Sequence, residues 1–122
     1  MSPAPDAMLA FATSLAEASG AILRRRFRQN IAVELKGDSS PVTEADRETE
    51  GELRRLIGAA FPDHGVIGEE YGADRPEAEF VWVLDPIDGT KSFITGRPLF
   101  GTLIALCHAS KPMVGIIDHP AI

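Results

Sequence analysis

Two aspartates, Asp85 and Asp88, stand three positions apart directly after an apolar run, and Gly89-Thr90 follows them as a short polar turn that could begin a helix. Two carboxylates held this close repel each other unless a cation lies between them. Oxygen ligands of this kind suit Mg²⁺, and the backbone N–H groups of such a turn suit phosphate oxygens. The spacing therefore favours a site that binds both magnesium and phosphate.

The same residues have a simpler interpretation as a capped turn, because Asp-Pro and Asp-Gly are both common turn dipeptides. A second acidic pair, Glu69-Glu70, bears on the choice. It follows another short apolar segment, residues 65–68, just as Asp85 follows residues 80–84. Neighbouring strands could bring both acidic pairs to one edge of a sheet, which favours a site over a turn.

Residues 80–84 combine β-branched and aromatic side chains without a polar interruption. This composition predicts a strand that is buried on both faces. We expect the strand to end at Asp85, because Pro86 has no N–H group to continue the ladder.

Two amphipathic helices are predicted upstream of these strands. Apolar residues recur at steps of three and four from Met8 to Ile22, which predicts a first helix over residues 6–28. A second helix is predicted to begin at Thr43, with Asp46 in the capping-box position, and to end at residues 61–62. On this pattern alone, Asp46 is simply a helix cap.

The remaining segments predict the rest of an α+β fold in which two N-terminal helices pack on a largely antiparallel sheet. Residues 31–35 alternate weakly and predict a strand, and the polar residues 71–79 predict a surface loop or hairpin connection. Two further strands are expected over residues 102–107 and 113–118, joined by a hairpin turn at residues 108–112.

Composition and charge exclude several classes of function. A chain of 122 residues permits one domain with one core, and a net charge of −6 argues against nucleic acid or an anionic membrane as the main partner. No membrane-spanning run or signal peptide is expected, and the single Cys107 indicates a buried free thiol in a reducing cytoplasm. The three histidines have no metal-ligand spacing and are predicted to be surface residues: His64, His108 and His119.

Three motifs together resemble the inositol monophosphatase superfamily of magnesium-dependent, lithium-sensitive phosphomonoesterases. They are WVLDPIDGTKSFITG at residues 82–96, GEE at residues 68–70 and TEAD at residues 43–46. Within the superfamily, GTKSFITGRPLFGTLIAL at residues 89–106 most resembles the histidinol-phosphate phosphatases. The resemblance implies a layered α-β-α-β-α sandwich, of which this chain would be the N-terminal half.

The resemblance also implies a ligand set for two or three Mg²⁺ ions. Glu69, Asp85 and the Ile87 carbonyl would hold the first ion. Asp85 would bridge to a second ion, which Asp88 also binds. Glu70 would support these ligands from the outer shell.

The catalytic roles come from the same source. Glu69 and Thr90 would position the attacking water, and Asp46 would polarise the Thr90 hydroxyl through a hydrogen bond. The N–H groups of Gly89 and Thr90 would hold the substrate phosphate. Two interpretations of Lys91 stay open, a phosphate contact and an ordinary surface lysine.

Members of the superfamily carry a further metal-binding aspartate in a Trp-Asp motif of the second half. This sequence has one tryptophan, Trp82, and ends at Ile122. We therefore expect residues 1–122 to form a single N-terminal metal-binding phosphatase domain that is weak or inactive alone and could self-associate as a homodimer through faces that the second half would cover.

Three functions are open on the sequence. The first is magnesium-dependent hydrolysis of histidinol phosphate to histidinol and phosphate, a step of histidine biosynthesis. The second is the same reaction on another small phosphorylated metabolite, inositol monophosphate or a 3′-phosphoadenosine nucleotide. The third is a truncated, non-catalytic remnant that binds metal or oligomerises.

Overall fold

The computed structural model describes residues 4–28, 33–35, 41–98 and 100–121. In chain order, the described elements are α1 (Pro5–Arg26), β1 (Val33–Leu35), β2 (Pro41–Thr43), α2 (Glu44–Ala60), β3 (Gly65–Gly68), β4 (Gly72–Asp74), β5 (Phe80–Asp88), α3 (Thr90–Ile94), β6 (Gly101–His108) and β7 (Lys111–Asp118). The predicted α+β class is confirmed.

The main sheet has five strands in the order β4-β3-β5-β6-β7, and β1 and β2 form a separate antiparallel pair. Three of the four pairings in the main sheet are antiparallel. The exception is β3 with β5, which run parallel and therefore end at the same edge of the sheet. This parallel pair is central to the geometry described below.

Both helices form where the sequence predicts them, but they begin in different ways. Thr43 caps α2 with a complete capping box: its hydroxyl accepts from the Asp46 N–H, and the Asp46 carboxylate accepts from the Thr43 N–H. The first residue of α1 is Pro5. A backbone N–H at the first helical position has no acceptor within the helix, so a proline there loses no hydrogen bond. The N-cap residue Ala4 makes no side-chain hydrogen bond to the helix. Of the two long helices, α2 therefore has a side-chain cap at its N-terminus and α1 does not.

By length and composition α1 would pass as a membrane span, the one such helix in the described part of the chain. Its apolar stripe, however, includes Met8, Ala12 and Leu15, which are buried in the core against the sheet. At its C-terminal end, Arg25 and Arg26 each bind Glu48 of α2 at 2.6 Å. These contacts fit an amphipathic core helix with a charged outer face.

The two faces of the main sheet differ sharply. One face, called the helix face, carries Phe80, Trp82, Leu84, Ile104 and Leu106, which form one core cluster with apolar residues of α1 and α2. The opposite face, called the open face, carries Ile67, Val81, Val83, Leu103 and Ala105. On the open face of β5, Val81 is buried at 8% exposure but Val83 is 39% exposed, so the prediction that this strand is buried on both faces is wrong at Val83.

A second core cluster lies at the C-terminal end of β5, where Ile87 packs with Leu23 of α1 and Ala45 of α2. Phe93 of α3 and Phe100 complete it, with ring centroids 5.0 Å apart in an edge-to-face arrangement. This cluster anchors the segment around the Asp85 to Thr90 motif to both long helices.

Several predicted boundaries need correction. β5 does not end at Asp85 but continues to Asp88, because a shift in register accommodates Pro86 without its N–H. Of the strand predicted over residues 31–35, residues 33–35 form β1, while residues 31–32 lie outside the described residues. The short strands β2 and β4 were not predicted.

The turn between β6 and β7 is also shorter than expected. His108 pairs with Lys111, so only Ala109 and Ser110 form the loop. Both have positive φ, at 49° and 70°, as a two-residue hairpin turn requires. The sequence lacks the usual Asn-Gly at this turn, which is why the prediction was too long.

The prediction that all three histidines are surface residues is wrong for His64. Its ring is stacked between Phe61 and Phe80, at centroid distances of 4.5 Å and 5.0 Å. Its Nδ1 accepts a hydrogen bond of 3.0 Å from the indole N–H of Trp82. Burial lowers the pKa of His64, and the nearby carboxylates of Asp63 and Glu79 oppose that shift only in part.

Candidate metal and phosphate site

The register shift in β5 determines where Asp85 and Asp88 face. Residues three apart on a regular strand point to opposite faces, because the side-chain period is two. Here Asp85 pairs with Leu103 and Asp88 pairs with Gly101, so three steps on β5 match two steps on β6. Since Leu103 and Gly101 share a face, their partners share it too. The extra residue therefore brings both aspartates to the open face.

Glu69 reaches the same place through the parallel pairing. Gly68 of β3 lies opposite Leu84 of β5, so Glu69 follows at the level of Asp85. β3 ends at Gly68, so Glu69 is the first residue beyond the strand at this edge of the sheet, and its side chain is exposed. The expectation that neighbouring strands bring the two acidic pairs to one edge is confirmed by this register.

The side chains themselves do not yet form a closed ligand cluster. Glu69 and Asp88 are exposed, and Asp85 is half-buried. Among the residues that the structure describes, no three His, Cys, Asp or Glu side chains are grouped closely enough to hold a metal ion. The backbone brings these residues to one edge of the sheet, and the convergence of their side chains on a metal ion stays a prediction. Their identity as ligands stays a prediction.

The donor chemistry still fits a hard cation. Glu69, Asp85 and Asp88 supply only oxygen, as Mg²⁺ prefers, and Ile87, with its carbonyl oxygen, lies in the segment where the register shifts. Ile87 itself is buried in the second cluster, which fixes this part of the backbone. A backbone carbonyl between two aspartates in the sequence is compatible with the ligand set expected from the resemblance.

Asp46 and Thr90 meet where α2 begins and β5 ends. The Thr90 hydroxyl lies 3.4 Å from Asp46 Oδ1, which is the contact that the resemblance implied. It also lies 3.0 Å from the Ile87 carbonyl oxygen. A hydroxyl has one hydrogen and can donate to only one of these acceptors at a time. Its shorter contact here is with Ile87.

The other oxygen of Asp46 is committed to the helix cap. Asp46 Oδ2 accepts from the Thr43 N–H at 2.8 Å and from the Thr43 hydroxyl at 2.7 Å. Asp46 is 2% exposed, so its carboxylate is held by these contacts rather than by bulk solvent. The two expected roles, a helix cap and a partner of Thr90, are thus structurally compatible in one side chain.

The predicted phosphate-binding turn begins at Gly89, whose φ of +91° requires glycine. Thr90 then starts α3, and the N–H groups of a first helical turn have no acceptor within the helix. The Lys91 side chain lies outside the described residues, so its two interpretations are unchanged.

Glu50, one helical turn after Asp46, was not predicted from the sequence. This carboxylate is fully buried and accepts hydrogen bonds from the N–H groups of Glu70 and Tyr71, each at 2.9 Å. Its position in the stripe that also contains Leu53 and Ile57 could have revealed it, because an acid in the buried face of an amphipathic helix needs partners.

Comparisons with known proteins agree with this geometry. The model of the inositol monophosphatase family matches residues 4–122. The chain is 49% identical over 117 residues to the bifunctional phosphatase IMPL2, chloroplastic, of Arabidopsis thaliana, covering 94% of this chain and 34% of that protein. It is 41% identical over 118 residues to the histidinol-phosphatase of Mycobacterium tuberculosis, covering 96% of this chain and 45% of that protein.

The solved structure of an inositol monophosphatase from Zymomonas mobilis superposes with a TM-score of 0.78 at 44% identity, covering 98% of this chain and 46% of that one. The chain therefore spans less than half the length of these three relatives.

Proposed function

This chain belongs to the inositol monophosphatase family, and on that premise we propose that it takes part in magnesium-dependent hydrolysis of a small phosphomonoester. The observation that carries the proposal is the register of β5, which brings Asp85 and Asp88 to the open face beside Glu69. An edge with three carboxylates attracts a divalent cation, and a bound cation in turn attracts a phosphate dianion.

Glu69, Asp85, Asp88 and the Ile87 carbonyl would hold the Mg²⁺. When bound, the ion would stabilise charge on the phosphoryl oxygens and lower the pKa of a bound water. The N–H groups of Gly89 and Thr90 would orient the phosphate at the start of α3.

Asp46 would act on the reaction through Thr90. If the Thr90 hydroxyl donates its hydrogen to Asp46, its oxygen lone pairs are available to accept a hydrogen bond from the attacking water. Glu69 would accept a second hydrogen from that water, so that the two residues together aim it at phosphorus. Because Asp46 is itself fixed by Thr43, the start of α2 would set the orientation of the Thr90 hydroxyl.

Histidinol phosphate is the substrate that we propose first. The likeness of residues 89–106 to the histidinol-phosphate phosphatases supports it, and the Mycobacterium tuberculosis relative, 41% identical, is named a histidinol-phosphatase. Inositol monophosphate is the second candidate, supported by the 44% identity to the Zymomonas mobilis inositol monophosphatase. Cys107 is free and half-buried, which is compatible with the reducing cytoplasm that we expect as its location.

The reaction is tested by phosphate release from histidinol phosphate, inositol 1-phosphate and 3′-phosphoadenosine under single-turnover conditions, with the chain in excess. Because we expect these 122 residues to be weak catalysts alone, the release should be slow. It should require Mg²⁺, be fastest with histidinol phosphate and be abolished by Asp85→Asn. Asp63→Asn is the matched control, because Asp63 is an exposed acid in the turn between α2 and β3. Release that is independent of Mg²⁺ or unchanged by Asp85→Asn would contradict the proposal, and a preference for inositol 1-phosphate would select the second candidate.

A further inference from the structure

Glu50 has a complete set of hydrogen-bond donors despite being fully buried. Its Oε1 accepts from the Glu70 N–H and its Oε2 from the Tyr71 N–H, each at 2.9 Å, and Arg54 Nε donates to Oε2 at 3.0 Å. Charge-assisted bonds of this kind are stronger than neutral ones. A buried carboxylate with these partners fixes whatever backbone it binds.

That backbone is the loop that carries Glu69. Gly68 pairs with Gly72, so residues 69–71 form a three-residue hairpin loop between β3 and β4, and Gly72 has a φ of +74°. Glu69 is the first residue of this loop, and the next two residues donate their N–H groups to Glu50. The loop therefore has a conformation that α2 imposes from the helix side.

Arg54 extends this hold to the end of the loop. Its guanidinium donates to the Gly72 carbonyl as well as to Glu50, and it lies 6.0 Å from the centre of the Tyr71 ring. Arg54 balances the charge of the buried carboxylate and also contacts the loop itself.

The glycine before Glu69 is explained by the same contact. A Cβ atom at Gly68 would lie 2.5 Å from both carboxylate oxygens of Glu50, which is closer than any real contact allows. Gly68 has no positive φ that would require glycine on conformational grounds. Its role is to let the Glu50 carboxylate approach the strand end.

We propose that Glu50 is a positioning residue for Glu69: by holding residues 69–71 it presents the Glu69 carboxylate to the edge where Asp85 lies. This inference rests on the proposed role of Glu69 as a magnesium ligand. Asp46 and Glu50 are one turn apart on α2 and both are buried, so a single helix face orients the Thr90 hydroxyl and the Glu69 loop.

The test measures Mg²⁺ affinity by titration calorimetry on the 122-residue chain and on Glu50→Gln. The glutamine side chain has the same size as glutamate, but its NH₂ group is a donor and cannot accept a hydrogen bond. One of the two loop N–H groups therefore loses its acceptor. We expect the dissociation constant for Mg²⁺ to rise about ten- to a hundredfold, as for other residues that orient metal ligands. Glu52→Gln is the matched control and should leave it unchanged, because Glu52 lies on the same helix and binds only Arg55 in the described contacts.

Gly68→Ala disrupts the same contact from the side of β3, because the added methyl group would displace the Glu50 carboxylate. We expect it to weaken Mg²⁺ binding to a similar degree, and the double variant Gly68→Ala with Glu50→Gln to be no weaker than the worse single variant, because both changes remove one contact. A purely structural role for Glu50 predicts another result: a lower melting temperature without Mg²⁺, with the dissociation constant unchanged in the folded variant. That result would overturn the inference.

Failure of the proposed Mg²⁺ site and failure of the proposed role of Glu50 give different results. If Asp85→Asn loses Mg²⁺ binding while Glu50→Gln keeps the parent affinity, only the role of Glu50 is overturned. If the parent chain shows no saturable Mg²⁺ binding, the proposed function fails and the role of Glu50 fails with it. Should Glu50→Gln not fold, amide hydrogen exchange on the parent chain decides: we expect the Glu70 and Tyr71 amides to be protected, and exchange at unprotected rates would overturn the inference.

Discussion

The helix face and the open face of the main sheet are made by alternate residues of the same strands, yet they differ in what they can do. Trp82 and Leu84 on the helix face are 0% and 1% exposed, whereas Val83 between them and Ile67 on β3 are 39% and 38% exposed. Towards the edge of the open face stand Glu69, Asp85 and Asp88. The helix face forms the hydrophobic core, whereas the edge of the sheet near the open face carries acidic side chains.

Acids occur near both faces, and the difference in their partners is instructive. Asp46 and Glu50 on α2 are buried and are held by bonds to backbone N–H groups at the edge of the site. Burying an unpaired charge is costly, so these two acids stabilise only because they are paired. Glu69 and Asp88 are exposed to solvent. One set of acids orients the loops, and the other set is available to a cation.

The largest contrast between the faces should appear when adjacent residues are truncated. Trp82→Ala should lower the free energy of unfolding by about 3–5 kcal/mol, because it removes a buried ring and leaves a cavity. Val83→Ala should cost about 1 kcal/mol or less, because this side chain is already partly in water. Urea denaturation followed by circular dichroism measures both. Equal losses would show that the open face is as tightly packed as the helix face.

The cap of α2 should contribute less than the core but more than an ordinary surface hydroxyl. Thr43→Ala removes both the acceptor for the Asp46 N–H and the donor to its carboxylate, and should lower the free energy of unfolding by about 0.5–2 kcal/mol. Ser14→Ala is the control. Among the described residues, the Ser14 hydroxyl bonds only to the Phe11 carbonyl on the exposed side of α1, so the change should stay within about 0.5 kcal/mol. Equal effects would mean that the capping box is not what holds the start of α2.

The smallest effect that we predict is a dependence of stability on pH through His64. Its pKa is lowered by burial, so the folded chain holds the ring neutral while the unfolded chain protonates it near the ordinary value of about 6.5. Above about pH 6.5 the His64 ring is neutral in both states and costs the folded chain nothing. As the pH falls below that value, the unfolded chain takes up the proton first, so the free energy of unfolding decreases until the pH reaches the lowered pKa of the folded chain. Protonation also removes the acceptor for the indole N–H of Trp82.

Urea midpoints at pH 7.5 and 5.5, followed by Trp82 fluorescence, measure this effect. His64→Phe should reduce the difference between the two midpoints. His119→Gln should leave the difference unchanged, because His119 is exposed and lies far along the chain on the segment after β7. A pH dependence that is the same in all three chains would assign it to other groups.

Local patterns in the sequence predicted much of this organisation. The apolar period of α1, the capping box of α2 and the apolar runs that begin β3 and β5 are each encoded within one short segment of the sequence. Each depends on local backbone preferences or on a continuous apolar run, which is why both long helices and the starts of these two strands were placed correctly.

The features that were not predicted depend on contacts between distant segments. β4 is exposed throughout and has no apolar pattern, so only its pairing with β3 defines it as a strand. The continuation of β5 past Pro86 depends on a register with β6 that no local pattern encodes. His64 and Glu50 were assigned to the surface or overlooked because their partners, Trp82 and the loop after β3, are about 20 residues away.

The central claim is that the open-face edge binds a divalent cation through Glu69, Asp85 and Asp88. Substoichiometric Mn²⁺, which takes the same oxygen ligands as Mg²⁺, tests it most directly by paramagnetic broadening of backbone amide resonances. We predict that residues 69, 85 and 88–90 broaden first, that excess Mg²⁺ restores them, and that the helix-face residue Phe80, at the opposite end of β5 from Asp88, broadens least. Broadening centred on another acidic segment, such as residues 77–79, or no selective broadening, would contradict it.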